Sequence, residues 1–450
     1  MQETNDRKCR GFCNRRNRVV GRSGLRRENA GSGCIGTGMS GEEVCTTERP
    51  EAGVGGRVTS VKWCVISRDE KTKCEDMSAA FKEKAILPKV ECIRRYNTLD
   101  CMHTIFDGRA DLINLDAGDA YVAGKQYGLI PILAEKYSSG TESYAVAVSK
   151  ENNDDINIDT MENRTACFSG IKMGAGWVVP IATMFDWGVL QRDGCQYNNR
   201  DEFSNWTDTL SVDTLFEEGC VPGVLLGAYD TGGMNGQDLC DACANTLTCR
   251  RNHKELYYGN MGSLRCLIEG TGEIAFTNHL SALAVTFDIQ SLSSTQSGIS
   301  VGLKLLCKNG TRRAPSEYED CHFNKVPSNI VMTSGNKTDR ELHKYRKMLR
   351  IGQYFFGGDN NDNGFKMFDS SNYTSPDLMF SDATNKLVVK SSKTEYSDWL
   401  GQDHLRLQQS LTGCIPPKVL AQTSGTRSFK HSLMIIISIL LVFYFNKNEQ

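Results

Sequence analysis

The stretch Cys167-Phe-Ser-Gly-Ile-Lys-Met-Gly-Ala-Gly-Trp177 places glycines and small residues where a helix could begin and receive an anion. Free backbone N–H groups and the helix dipole both favour negative charge at such a terminus. The only cation in the stretch is Lys172. A second group, Cys240-x-x-Cys243 with Cys249, carries zinc-binding residue types, but no His stands at finger spacing. The sequence shows no nucleophile and base constellation, no phosphate-binding P-loop and no dinucleotide fingerprint. It therefore reads as a binding protein and not as an enzyme.

An anion cradle has to be held by strands and helices, and from Val61 the chain alternates between the two periods. Val61 to Ser67 is an apolar strand run, and Cys74, Met77, Ala80 and Phe81 form one helix face. Ala110-Asp-Leu-Ile-Asn-Leu115 reads as a strand entering a loop at Asp116-Ala-Gly. Further apolar runs are Tyr144 to Val148, Glu273 to Phe276 and Val326 to Met332, and Asp339 to Leu349 reads as a helix burying Leu342, Tyr345, Met348 and Leu349. Segments near Asn198 to Asn205 and Gly357 to Gly364 read as loops. The pattern is α/β, without internal repeats.

A chain of 450 residues with 39% hydrophobic content can bury a sizeable core. Its net charge of −2 gives no global field toward nucleic acid or an anionic surface, so no nucleic-acid partner is expected. Eighteen cysteines, fourteen of them between Cys64 and Cys414, suit an oxidising compartment and a disulfide framework. Sequons at Asn163, Asn205, Asn309, Asn336 and Asn372 point the same way. The extracellular signals favour disulfides over zinc at Cys240, Cys243 and Cys249.

The two ends differ from the rest. Residues 1–57 are a basic stretch, with nine Lys/Arg in the first thirty residues, and read as an unfolded arm or a misplaced start; no signal-peptide pattern is visible in the chain as given. Residues 415–432 read as a linker, and 433–450 as a hydrophobic anchor signal. The run Leu433 to Phe445 is short of the roughly 20 residues a spanning helix requires. Small residues at Ser424-Gly-Thr426, a mostly polar spacer and this tail match a GPI-attachment signal, a lipid anchor with Ser424 as the attachment candidate; direct insertion of the tail is the alternative. The expected location is the outer face of the plasma membrane, or secretion.

Specific motifs follow one another in a fixed order. They are Val61-Lys-Trp-Cys64 with Lys73-Cys74, Leu115-Asp-Ala-Gly118, Tyr144-Ala-Val-Ala-Val148, Ala175-Gly-Trp177, Arg265-Cys-Leu267, Ile274-Ala-Phe276 with His279, and Cys321-His322 before Val326-Pro-Ser328. In this order and spacing they resemble one lobe of the transferrin family, over Val61 to Cys414. The resemblance implies a disulfide-rich, periplasmic-binding-protein-like α/β lobe, residues 61–414, with two subdomains around a cleft. One would combine 61–142 with 331–414 and the other would be 143–330, joined by crossing strands near Ser143 to Val146 and Pro327 to Ile330. It also implies the pairs Cys64–Cys101, Cys74–Cys92, Cys167–Cys266, Cys195–Cys414, Cys220–Cys243, Cys240–Cys249 and Cys307–Cys321.

The resemblance further implies a ferric iron and carbonate site built from an Asp, two Tyr, a His and an anion-holding Arg. Carried over, the Asp is Asp116 and the hinge Tyr is Tyr144, while Asn260 and Asn329 stand at the second Tyr and His positions. Ser169, Ala175 and Gly176 remain in the cradle, with Met173 at the Arg position. Ferric iron is a hard cation that wants anionic oxygen, which neutral amides do not supply. The expectation is a vestigial site that holds no iron tightly, in a protein serving adhesion or capture of another protein or small molecule. The alternative is an iron-uptake protein whose site is rearranged, with Tyr257 or Tyr258 replacing Asn260. His279 and His322 match positions outside the ligand set and read as packed or surface histidines.

Overall fold

A computed structural model describes residues 59–192, 207–293, 302–358, 364–389 and 395–412. The chain runs β1 (Ser60–Val65), α1 (Arg68–Glu83), β2 (Lys89–Arg94), α2 (Thr98–Phe106), β3 (Ile113–Leu115), α3 (Ala117–Tyr127) and β4 (Leu129–Lys136). Next come β5 (Glu142–Lys150), β6 (Thr165–Phe168), a π-turn Gly174–Val178 leading into α4 (Val179–Trp187), α5 (Asp208–Leu215), β7 (Glu218–Cys220), α6 (Asp238–Asp241), α7 (Gly259–Glu269), β8 (Ile274–Asn278) and α8 (His279–Ser293). The remainder is β9 (Leu303–Leu306), β10 (Arg312–Arg313), β11 (Lys325–Pro327), β12 (Ile330–Ser334), α9 (Asp339–Phe356), β13 (Lys386–Val388) and α10 (Tyr396–Ser410).

Two sheets divide these strands. One has the order β13-β4-β12-β3, with the parallel pair β1-β2 beside it through a bridge between Trp63 and Leu112. The other runs β10-β9-β5-β8-β6-β7, with β11 added to β5. The first sheet therefore draws on residues up to Lys136 and again from Ile330, and the second on Glu142 to Pro327. The apolar run Val326 to Met332, read from the sequence as one strand, is split: Val326 pairs with Ser143 in one sheet and Ile330 with Leu115 in the other. Ser328 and Asn329 make the crossing.

Two apolar clusters form the core: one fills the α1 and α9 face of the first sheet, and the other runs from the second half across to Ile105, Leu115, Ala117 and Tyr121 of the first. Around the first sheet, α1 buries Cys74, Met77 and Phe81, and α9 buries Leu342, Tyr345, Met348 and Leu349. These pack with Trp63, Phe368 and Phe380. Both helices start on caps readable in the sequence, since Ser67 Oγ accepts the Glu70 N–H and Thr338 forms a reciprocal box with Glu341. In the second half, Phe168 stacks on Phe276 at 4.7 Å between ring centroids, with Trp177 against them. α10 touches both halves. Its Tyr396 ring leaves room only for a glycine at Gly124 of α3, and Arg406 pairs with Asp186 of α4 at 2.9 Å.

Six disulfides are present among the described residues: Cys64–Cys101, Cys74–Cys92, Cys167–Cys266, Cys220–Cys243, Cys240–Cys249 and Cys307–Cys321. They are the pairs the resemblance implies, and they use up the cysteines of the Cys240-x-x-Cys243 group. Cys195 and Cys414 lie outside the described residues, as do 1–57, Asn205, Ser424 and the apolar tail. Asn163, Asn309, Asn336 and Asn372 are exposed. Among the described residues no helix is long and apolar enough to cross a membrane.

Candidate functional site at the cleft

Asp116 does not sit in a loop. It is the N-cap of α3, where its Oδ1 accepts the Asp119 N–H at 2.7 Å. The segment read from the sequence as a loop is a helix start, because an aspartate side chain can accept the free N–H groups of a helix first turn. Its other oxygen crosses to the second half, where Oδ2 accepts the Gly174 N–H at 3.0 Å. Burial, then the neighbouring Asp119 carboxylate, pushes Asp116 up to about 6, against the pull of Arg251 and these two N–H donors.

The glycine-rich stretch forms a helix start, as its composition implies. After β6, Met173 caps the π-turn, with the Trp177 and Val178 N–H groups both reaching its carbonyl at 2.9 Å. Ala175 and Gly176 occupy the first turn, whose N–H groups have no acceptor within the helix. Ser169 packs onto this turn so closely that a Cβ on Gly176 would lie 2.1 Å from its hydroxyl oxygen. That hydroxyl lies 2.9 Å from Asn260 Oδ1 and 3.1 Å from the Phe276 carbonyl, both acceptors. Lys172, at φ +60°, carries its ammonium away to Asp208, with contacts of 2.5 and 2.6 Å, where Trp177 Nε1 also donates. The cradle's own cation is thus spent elsewhere.

One cavity collects Asp116, Met173, Asn260 and Asn329, together with Asn114, Asn278, Tyr137, Tyr258 and His253. Four of its polar groups are neutral amides, and Glu70, Asp377 and the Arg251-bound Asp119 are its carboxylates besides Asp116. Asn329 is fixed by its place at the crossing: its carbonyl accepts the Glu135 N–H at 2.9 Å, and its own N–H donates to the Tyr137 hydroxyl. Glu135, fully buried, accepts from Tyr137 and Asn114, and burial raises its carboxyl to about 7.

The structure does not bring Tyr144 into this cavity. Its ring packs instead against His322 at 4.7 Å and against His279 and Tyr318, each at 5.1 Å, while its N–H donates to His279 Nδ1 at 3.0 Å. Side chains alternate along β5, so the opposite face at this point belongs to Ser143 and Ala145. His279 and His322 accordingly serve as packing for Tyr144. Of the adjacent tyrosines, Tyr257 is turned away, with its hydroxyl 2.8 Å from Glu269 and 3.0 Å from Thr271. Tyr258 lines the cavity, and burial pushes its phenol well above the ordinary value.

Sequence reasoning missed Arg251. Its guanidinium donates to both oxygens of Asp119, at 2.9 and 3.0 Å, to the Thr98 hydroxyl at 2.8 Å and to the Ile171 carbonyl at 2.9 Å. Next to it, Asn252 Nδ2 donates to the Tyr96 carbonyl at 2.9 Å. In the sequence both Asp119 and Arg251 look like ordinary surface charges, one in a helix first turn and one in a cysteine-rich loop. Only their side-chain exposures, 4% and 1%, reveal otherwise.

The transferrin family profile matches residues 61–413. Among curated proteins, the chain is 32% identical to Transferrin 2 of Drosophila melanogaster over 79% of this chain and 43% of that protein. It is 32% identical to human melanotransferrin over 78% of this chain and 46% of that protein. The chain thus spans less than half the length of these two relatives. Otolith matrix protein 1 of Oncorhynchus mykiss is 33% identical over 78% of this chain and 92% of its own length. With two sheets joined by crossing strands, an aspartate capping the cleft helix and a glycine-rich turn facing it, the chain belongs to the transferrin family.

Proposed function

We propose that this protein is an extracellular, transferrin-like binding protein whose cleft does not carry ferric iron, and which serves adhesion or capture of another protein or small molecule. The observation that supports this reading most directly is the composition of the cavity. Asp116 is the one family ligand present there, Asn260 and Asn329 stand at two other ligand positions, and Met173 replaces the anion-holding arginine. Neutral amides cannot supply the charge that a ferric ion and carbonate require. Among the described residues no Lys or Arg lines the cavity, and the nearby Lys172 and Arg251 are paired with Asp208 and Asp119. Attachment to the outer membrane face through a lipid at Ser424, or secretion, fits the disulfides and the exposed sequons. The likeness to a protein named for a matrix, along 92% of that protein, fits a structural or adhesive role.

A second reading rests on Tyr258, which lines the same cavity. If its phenol ionised beside a metal, an iron site with Asp116 and Tyr258 as anionic donors would follow. Titration of the purified protein with chelated ferric iron and bicarbonate separates the two readings. No tyrosinate-to-iron visible band is expected; a saturable band at micromolar iron overturns the first reading and supports the second.

A further inference from the structure

The cleft is closed by contacts that need no metal. Five hydrogen bonds at three places tie the half built on the first sheet to the half built on the second: Arg251 to Asp119 and Thr98, Asn252 to Tyr96, and Gly174 to Asp116. Arg251 is the most heavily bonded of these groups. Four of its hydrogen bonds are directed at fixed acceptors, with the fork matching the Asp119 carboxylate through two parallel contacts. The bond to Ile171, next to the glycine-rich turn, anchors the guanidinium in its own half before it reaches across. We propose that Arg251 and Asp119 form a latch that holds the two halves shut in the absence of iron.

The physical case rests on what opening would require. Each partner is almost completely withdrawn from water, so separation rehydrates both, but loss of either one leaves the other as a buried, unpaired charge. A ligand shifts an open and closed equilibrium only through its differential affinity for the two states. Here the differential contacts come from the chain itself, and the closed state is reached without a cargo. The surface formed jointly by the two halves is then presented permanently. This inference does not depend on whether iron binds.

Hydrogen exchange of the full chain in excess chelator tests it, read on peptides covering Ala117 to Tyr121 and Lys172 to Gly176. The wild type should protect both segments without metal. Arg251→Met and Asp119→Asn should each speed their exchange by about 10²–10³-fold, the loss expected when one partner of a buried pair is removed. Arg251→Lys, which keeps charge without the fork, should fall between. Unprotected segments in the wild type, slowed only by ferric iron with bicarbonate, would overturn the latch. So would wild-type protection in Arg251→Met. Peptides of β5 report whether a variant is folded. Should the variants unfold, small-angle scattering of the wild type in excess chelator still decides: a curve that matches the closed arrangement of the two halves supports the latch, and a curve that requires an opened cleft, or compaction on adding iron and bicarbonate, overturns it. A visible iron band with protection intact would instead refute only the iron-free reading of function.

Discussion

A Cβ on Gly118 would lie 1.9 Å from the carbonyl oxygen of Lys172, so the backbones of α3 and the glycine-rich turn meet across the cleft at a distance only glycine permits. The obstructing atom is backbone and cannot rotate aside. In an isolated helix Gly→Ala should help by about 1 kcal/mol. Here Gly118→Ala should cost a net ~1–2 kcal/mol by overpacking, with the loss appearing as opening of the cleft. Thermal unfolding and exchange at Gly174 check this; a more stable, equally protected variant would show that the close approach does not persist in solution.

Restoring the iron site requires several groups at once. Met173→Arg, Asn260→Tyr and Asn329→His together should give a visible tyrosinate-to-iron band with bicarbonate, since cation, phenolate and imidazole act as one shell around Asp116. Single substitutions should stay colourless. A colourless triple variant that remains folded would mean that the absence of Tyr144 from the cavity leaves too few donors.

Glu135 should make stability depend on pH. Burial raises its folded carboxyl from 4.5 to about 7, so the folded state holds a proton that the unfolded chain releases. The contribution is largest below about 4.5, declines as pH rises and is fully lost above about 7, for a change of at most about 3 kcal/mol. Glu135→Gln should flatten the decline in urea-unfolding stability between pH 5 and 8. An unchanged slope would assign the dependence to other groups such as Glu70, which burial also raises to about 7.

His404 should act with the opposite sign. Burial lowers its imidazole from 6.5 to about 4, so the neutral ring is part of the folded state. Its contribution is present above about 6.5 and is lost as pH falls toward 4. His253 and His279 are depressed to about 4 in the same way. His404→Leu should move the acid-unfolding midpoint to lower pH, as followed by near-UV circular dichroism; a midpoint that stays put would show that its protonation does not limit acid stability.

The proposed lipid anchor has a direct assay. Treating intact expressing cells with a phosphatidylinositol-specific phospholipase should release the protein. Retention would favour direct insertion of Leu433 to Phe445.

The sequence by itself determined the α/β alternation, the main core faces and the neutral residues at Met173, Asn260 and Asn329, because periodicity and residue type are local properties. The helix faces of α1 and α9 and the helix start after Ser169 follow from spacing alone, and the six described disulfides follow from the family resemblance. Tertiary structure decided which of these residues meet. Tyr144 belongs to the right strand, yet the pairing of β5 and β11 turns its ring toward His279 and His322, and no local signal sets that face. The split of Val326 to Met332 between two sheets is likewise invisible in an uninterrupted apolar run. Asp119 and Arg251 lie 132 residues apart, and each alone has the composition of a solvated charge. Only closure of the cleft removes water from both, and desolvation turns two ordinary surface residues into the pair that holds it shut.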